Sequence, residues 1–150
     1  MTASPKPVFR QLSKPESEGV LRTHSVGRLA FAFHDRVDIE PINYVYDDGW
    51  IYGRTAPGEK LAVLAHRPWV AFEVDNVKGL FEWTSVVAKG AVYMLDEESA
   101  ASGAESWEHA VAVLRRLIPT ALTERDPVPD RTILFRMHVD ELHGRSATMG

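Results

Sequence analysis

Val37-Asp38-Ile39-Glu40-Pro41-Ile42-Asn43-Tyr44-Val45-Tyr46, then Asp47-Asp48-Gly49, then Trp50-Ile51-Tyr52-Gly53-Arg54-Thr55, is the stretch that decides the fold. Val37, Ile39, Pro41, Asn43 and Val45 alternate with Ile42, Tyr44 and Tyr46, the period of a strand. Asp-Gly accepts positive φ cheaply, so 47–49 predicts a hairpin turn and Trp50–Thr55 the returning strand. Upstream, Gly27 opens a strand over Arg28–His34, in which Leu29, Phe31 and Phe33 alternate with Arg28, Ala30 and Ala32. Asp35-Arg36 makes the tight turn into the next strand. The result is an antiparallel meander.

Working outward, Ser13-Lys14-Pro15-Glu16 carries a capping serine, a first-turn proline and a glutamate three residues after the serine. That predicts a short helix to about His24. Met1–Leu12 reads as a flexible or draped arm. Downstream, Ala56-Pro57-Gly58 breaks the hairpin strand, and Glu59–His66 has helical spacing. Trp69–Val74 is nearly all apolar and reads as a strand buried on both faces. Leu80–Leu95 reads as one long strand bent at Gly90, or two. Glu97–Leu117 is helical, with Trp107, Ala110, Val111, Leu114 and Leu117 on one stripe. Thr120–Asp130 reads as a loop and Thr132–Leu142 as a last strand. About six strands with few helices argue against a doubly wound parallel sheet and for one small antiparallel barrel over 1–150.

The totals narrow the function. A net charge of −4 gives no electrostatic reason to expect nucleic acid, whose phosphates want a basic face. With no cysteine, disulfides, thiolate nucleophiles and iron–sulfur clusters are excluded. The six histidines show no metal-ligand spacing, so no metal is expected. No apolar run approaches the roughly 20 residues that span a bilayer. The expectation is a cytoplasmic enzyme or binding protein with no membrane partner.

Three clusters could carry chemistry. Tyr52-Gly53-Arg54-Thr55-Ala56-Pro57-Gly58-Glu59-Lys60 ends a strand, turns on small residues and starts a helix. Arg54, the Thr55 hydroxyl, Lys60 and free helix N–H groups would suit a phosphate dianion, and Gly53 would let a flat ligand approach the backbone. The same residues also read as a hairpin end with solvated cations. In Glu40-Pro41-Ile42-Asn43-Tyr44, proline marks an edge or a bulge. Asn43 there suits the imide edge of a pyrimidine or bonds its own backbone. Trp83-Thr84-Ser85-Val86-Val87 offers an indole wall and a hydroxyl, or simply a strand Trp at a core or interface.

The order and spacing of these pieces resemble the small FMN-binding split-barrel proteins related to pyridoxamine-5′-phosphate oxidase, including nitroimidazole-resistance-like flavoproteins. The resemblance covers Gly27 to about Leu95. It implies a six-stranded antiparallel split β-barrel, mainly β, that pairs into a homodimer with FMN between the subunits and acts on a small-molecule substrate. It implies that Arg54, Thr55 and Lys60 hold the FMN phosphate. It also implies that Pro41, Ile42, Asn43 and Tyr44 run beside the isoalloxazine ring, Tyr52 and Gly53 lie under the ribityl and ring, and Trp83 and Ser85 line the ring pocket. Glu59-Lys60 stands where the oxidase has two basic residues, and Glu141 where an arginine would grip the vitamin's phosphate. Vitamin B6 oxidation is therefore not expected. The flavin would carry the redox chemistry of an oxidoreductase, so no catalytic acid or base is assigned. Rival readings are a flavin-storage protein, a barrel that has lost its cofactor, or one holding F420 or haem, with His24 or His143 as the haem ligand.

Overall fold

The computed structural model describes residues 4–63, 68–96 and 104–150. Its strands are β1 (Pro7–Gln11), β2 (Val26–Phe33), β3 (Arg36–Asn43), β4 (Val45–Asp47), β5 (Trp50–Thr55), β6 (Trp69–Gly79), β7 (Glu82–Leu95), β8 (Ile133–His138) and β9 (Glu141–Met149). The helices are α1 (Lys14–Thr23) and α2 (Ala104–Leu114), with a single 3-10 turn at Lys60–Val63.

All ladders are antiparallel and run in the order β3-β2-β6-β7-β8-β5-β4, with β9 on β7 and β1 on β9. The sheet folds over along β7. Up to Lys89 that strand pairs with β9, and from Val92 onward it pairs with β8. Gly90 sits at the changeover because nothing larger fits: an added Cβ would lie 1.7 Å from the His138 carbonyl oxygen. β3 and β5 come together without a ladder between them. The barrel is thus split there, as the resemblance implies.

Between the two halves lie Leu29, Phe31, Tyr44, Ile51, Phe72, Val74, Val86, Phe135 and Met137, all buried. α1 plugs one end with Leu21. Its start is the expected capping box, with Ser13 and Glu16 bonding each other's backbone N–H. α2 lies outside the barrel, covering Tyr52, Leu95 and Leu134 with Ala110, Val113 and Leu114. The hairpin is as read: Asp48 and Gly49 both have positive φ, and Asp47 pairs with Trp50.

Several expectations change. The N-terminal arm is docked as strand β1 along β9. Thr132–Leu142 is not one strand; the chain reverses at Val139-Asp140 and makes β8 and β9. The strand read over 37–46 breaks at Tyr44, whose N–H bonds the Ser25 carbonyl instead of continuing a ladder. β6 buries one face only: Val70, Phe72 and Val74 point inward while Trp69 is exposed. The helix read over Glu59–His66 begins as a 3-10 turn, and 64–67 lie outside the described residues, as do 97–103 of the second helical stretch.

Gly90→Ala forces backbone against backbone and should cost about 3 kcal/mol or more, read as a shift in the urea midpoint. Gly19→Ala, in α1 with open space at its Cβ, should instead stabilise by about 0.5–1 kcal/mol.

Candidate functional site: a cleft across the split

Where β3 and β5 meet, a cleft of about 260 Å³ is lined by Glu40, Pro41, Ile42, Arg54, Thr55, Ala56, Glu59 and Arg131. Proline is tolerated here because β3 is an edge strand, with Pro41 paired only to Arg28 on β2. Among the described residues two side-chain hydrogen bonds reach across the split: Lys60 Nζ donates to Asp38 at 2.5 Å, and Arg131 Nη1 donates to Asn43 Oδ1 at 3.4 Å.

Arg54 is committed elsewhere. Its Nη1 and Nη2 donate to Asp126 Oδ2 and Oδ1 at 2.6 and 2.8 Å, with both side chains almost fully buried. The same carboxylate accepts the N–H groups of Leu122 and Val128. Four donors on two oxygens saturate it. The pair fixes the loop between α2 and β8, and Arg54 Nη1 also reaches the Arg131 carbonyl at 3.4 Å. Opening a buried pair strands a charge, so Arg54 is a scaffold rather than a phosphate grip.

Lys60 differs. Its bond to Asp38 is largely exposed, at 55% and 32% of the two side chains, and such a pair exchanges partners at little cost. Thr55 lines the cleft with no hydrogen bond to its hydroxyl among the described residues. Among the described residues the Arg131 side chain has only its long contact to Asn43, and it is half-exposed. The available donors are therefore Arg131, Thr55 and, by exchange, Lys60. Two cations and a hydroxyl are the chemistry of an anion site, although Lys60 stands beside the cleft rather than in its lining.

The other expected site residues are dispersed. Tyr44 is 1% exposed, packs edge-on to Phe72 at 4.8 Å and donates its hydroxyl to the Leu21 carbonyl at 2.7 Å. Burial pushes its pKa up. Tyr52 is buried under α2 against His109. Both tyrosine side chains are thus part of the core of the single chain. Gly53 admits the Phe135 ring, 2.5 Å from its notional Cβ, rather than a ligand. Ile42 and Pro41 do line the cleft, and Asn43 borders it through Arg131.

Trp83 and Ser85 lie on the outward face of the β3-β2-β6-β7-β9-β1 half. Trp83 packs against Phe9 at 6.3 Å, and Ser85 donates to Glu73 Oε2 at 3.0 Å. Three strand spacings separate β7 from β3, roughly 14 Å. Within one chain these two residues do not join the cleft. His24 caps α1, with Nδ1 at 2.9 Å from the Val20 carbonyl, and His143 is exposed on β9. Among the described residues no group of three or more His, Asp or Glu could hold a metal ion. No described helix is long and apolar enough to cross a membrane.

Residues 13–146 match the family model described as pyridoxamine 5′-phosphate oxidase. The chain belongs to that family. An uncharacterised protein of Rhizobium meliloti is 28% identical over 152 residues, covering 94% of this chain and 97% of its own. The crystal structure of an FAD-binding protein from Mesorhizobium loti, 29% identical, superposes with a TM-score of 0.70 over 92% of this family member and 97% of that chain. The FAD-binding protein of Mycobacterium smegmatis, at 23% identity, shares the fold, with a TM-score of 0.65 over 91% and 99% of the two chains.

The sequence reading missed Arg131 and Asp126. Neither lies in a motif, and Asp126 meets Arg54 from 72 residues away. The Arg54 guanidinium, with the two amides, holds the Asp126 carboxyl well below the usual carboxylate range against the opposing effect of burial. Its depressed pKa means the pair's stability is full above about pH 4 and is lost as the pH falls below it. Asp126→Ala should cost about 3–5 kcal/mol in urea unfolding at pH 7, and that difference from wild type should narrow in acid.

Proposed function

We propose that this protein binds a flavin nucleotide, FMN in the first instance, with its phosphate in the β3–β5 cleft, and works as a flavin-dependent oxidoreductase on a small molecule. One observation carries the reading: the split between β3 and β5 presents an unpartnered hydroxyl, a loosely held arginine and an exchangeable lysine beside the Pro41–Asn43 edge strand. The Mesorhizobium and Mycobacterium proteins, named as FAD-binding, support a flavin and make FAD a second reading.

Arg131 would meet the phosphate with a charge-assisted hydrogen bond, Thr55 would donate its hydroxyl, and Lys60 would leave Asp38 to join them. The free N–H and C=O groups on the unpaired side of β3 would face the ring edge. A flavin held there would supply the hydride or electron transfer itself. The chain's part is to bind, orient and shield.

The active unit in this reading is a homodimer formed through the outward sheet face. That face leaves Val37 83%, Ile39 62%, Trp69 56% and Val77 66% exposed, large apolar side chains of the kind that gather at interaction surfaces. A second copy covers it better than another partner does because its charges complement themselves. Glu73 and Asp75 lie at the centre, where Arg28 of the same face reaches both at 3.4 and 3.6 Å, and Arg145, with no carboxylate within ion-pair distance among the described residues, lies two strands away. Pairing also supplies what one chain lacks, an indole and a hydroxyl brought to the ring from Trp83 and Ser85 of the other copy.

Titrating the purified protein with FMN and riboflavin, followed by flavin fluorescence, tests the phosphate role. Arg131→Ala should weaken FMN by about tenfold or more while leaving riboflavin nearly unchanged. Equal losses for both ligands, or none, would show that the phosphate lies elsewhere; no binding of either flavin would remove the flavin reading. Sedimentation should give a dimer, and Trp69→Glu should give a folded monomer.

A further inference from the structure

The cleft's own charges oppose the ligand it is built to hold. Of the three cations at this corner, Arg54 is held in its buried pair with Asp126 and Lys60 is engaged by Asp38, which leaves Arg131. Against it stand Glu40 on β3 and Glu59 on the turn after β5, both lining the same space as Thr55 and Arg131. No hydrogen bond or ion pair to either carboxylate is present among the described residues. Glu40 points to the barrel side of β3, opposite Leu29 and half-buried, so water screens it poorly. Burial raises its pKa, helped by Glu59 and Asp38, with Lys60 pulling the other way.

We propose that Glu40, seconded by Glu59, is a charge-selectivity residue of this cleft, setting how strongly a terminal phosphate is favoured over an uncharged ribityl end. The inference rests on the flavin-phosphate reading above and deepens it. A phosphate monoester carries close to two negative charges at neutral pH. A carboxylate lining the same half-buried cleft repels them, whereas the hydroxyl terminus of riboflavin feels little. Groups facing Glu40 are Asp38 from its own strand, Glu59 and Lys60 from the following turn, Arg54 from β5 and Arg131 from the loop before β8. The net effect is a site whose preference for the phosphorylated flavin is held below what its donors could deliver. A ligand whose phosphate is esterified, and so carries less charge, is penalised less.

The experiment is a pair of titrations, FMN and riboflavin, on the full chain at pH 7.5, where the phosphate keeps its charge. It compares wild type with Glu40→Gln and Glu59→Gln, using far-UV circular dichroism and thermal midpoint as fold checks. Glu40→Gln keeps the side chain's shape and removes only the charge. It should raise the ratio of riboflavin to FMN dissociation constants by about tenfold, and Glu59→Gln by less. The effect should shrink in 0.5 M salt more for Glu59→Gln, which is exposed, than for Glu40→Gln. A ratio unchanged in both variants while FMN still binds overturns this inference and leaves the flavin reading standing. If Glu40→Gln fails to fold, the ratio in Glu59→Gln decides. Absence of any flavin binding in wild type and variants overturns both.

Discussion

The buried pair of Arg54 and Asp126 is the constraint on which the site's geometry depends. A salt bridge with side chains 6% and 2% exposed is weak evidence of net stability, because two charges leave water to make it. Its value is positional. Asp126 collects the amides of Leu122 and Val128 as well as the guanidinium, so one carboxylate closes the loop after α2 against the end of β5. That closure carries Arg131 to the mouth of the split and presses α2 onto Tyr52. The residue with the most obvious look of an anion ligand therefore spends its charge building the cleft, and a residue with no motif around it would meet the phosphate in the proposed reading.

The second constraint is the fold-over at Gly90. Because β7 serves β9 with its first half and β8 with its second, one long strand belongs to both halves of the barrel. The hairpin from His138 to Glu141 fills the fork, packed on a position where no side chain fits. The same arrangement leaves β3 and β5 as neighbours without a ladder, and the unpaired β3 edge becomes the wall of the cleft. It also turns Val37, Ile39, Trp69 and Val77 outward on a face that a second copy would cover in the proposed dimer.

Local chemistry was readable in the sequence and distant chemistry was not. The Asp48-Gly49 turn and the Ser13/Glu16 capping box each depend on residues within a few positions, and both formed as read. The β8–β9 reversal was missed because Val139-Asp140 lacks glycine and asparagine. It turns because Val139 and Asp140 donate their N–H groups to the Gly49 and Lys89 carbonyls, partners far off in sequence. The region of the cleft was legible, since Pro41, Ile42 and Thr55 line it. The roles of Tyr44, Tyr52 and Arg54 were not: alternation shows that strand residues split between two faces without saying which face is covered. Tyr52 and Arg54 share the face under α2 and its following loop, which nothing near them in the sequence announces.

A crystal structure of the protein with FMN tests the central claim most directly. The phosphate is expected between Arg131 and the Thr55 hydroxyl, with Lys60 turned from Asp38 toward it and the Arg54–Asp126 pair intact. A phosphate bound at another cationic surface, or one that has displaced Asp126 from Arg54, would contradict it.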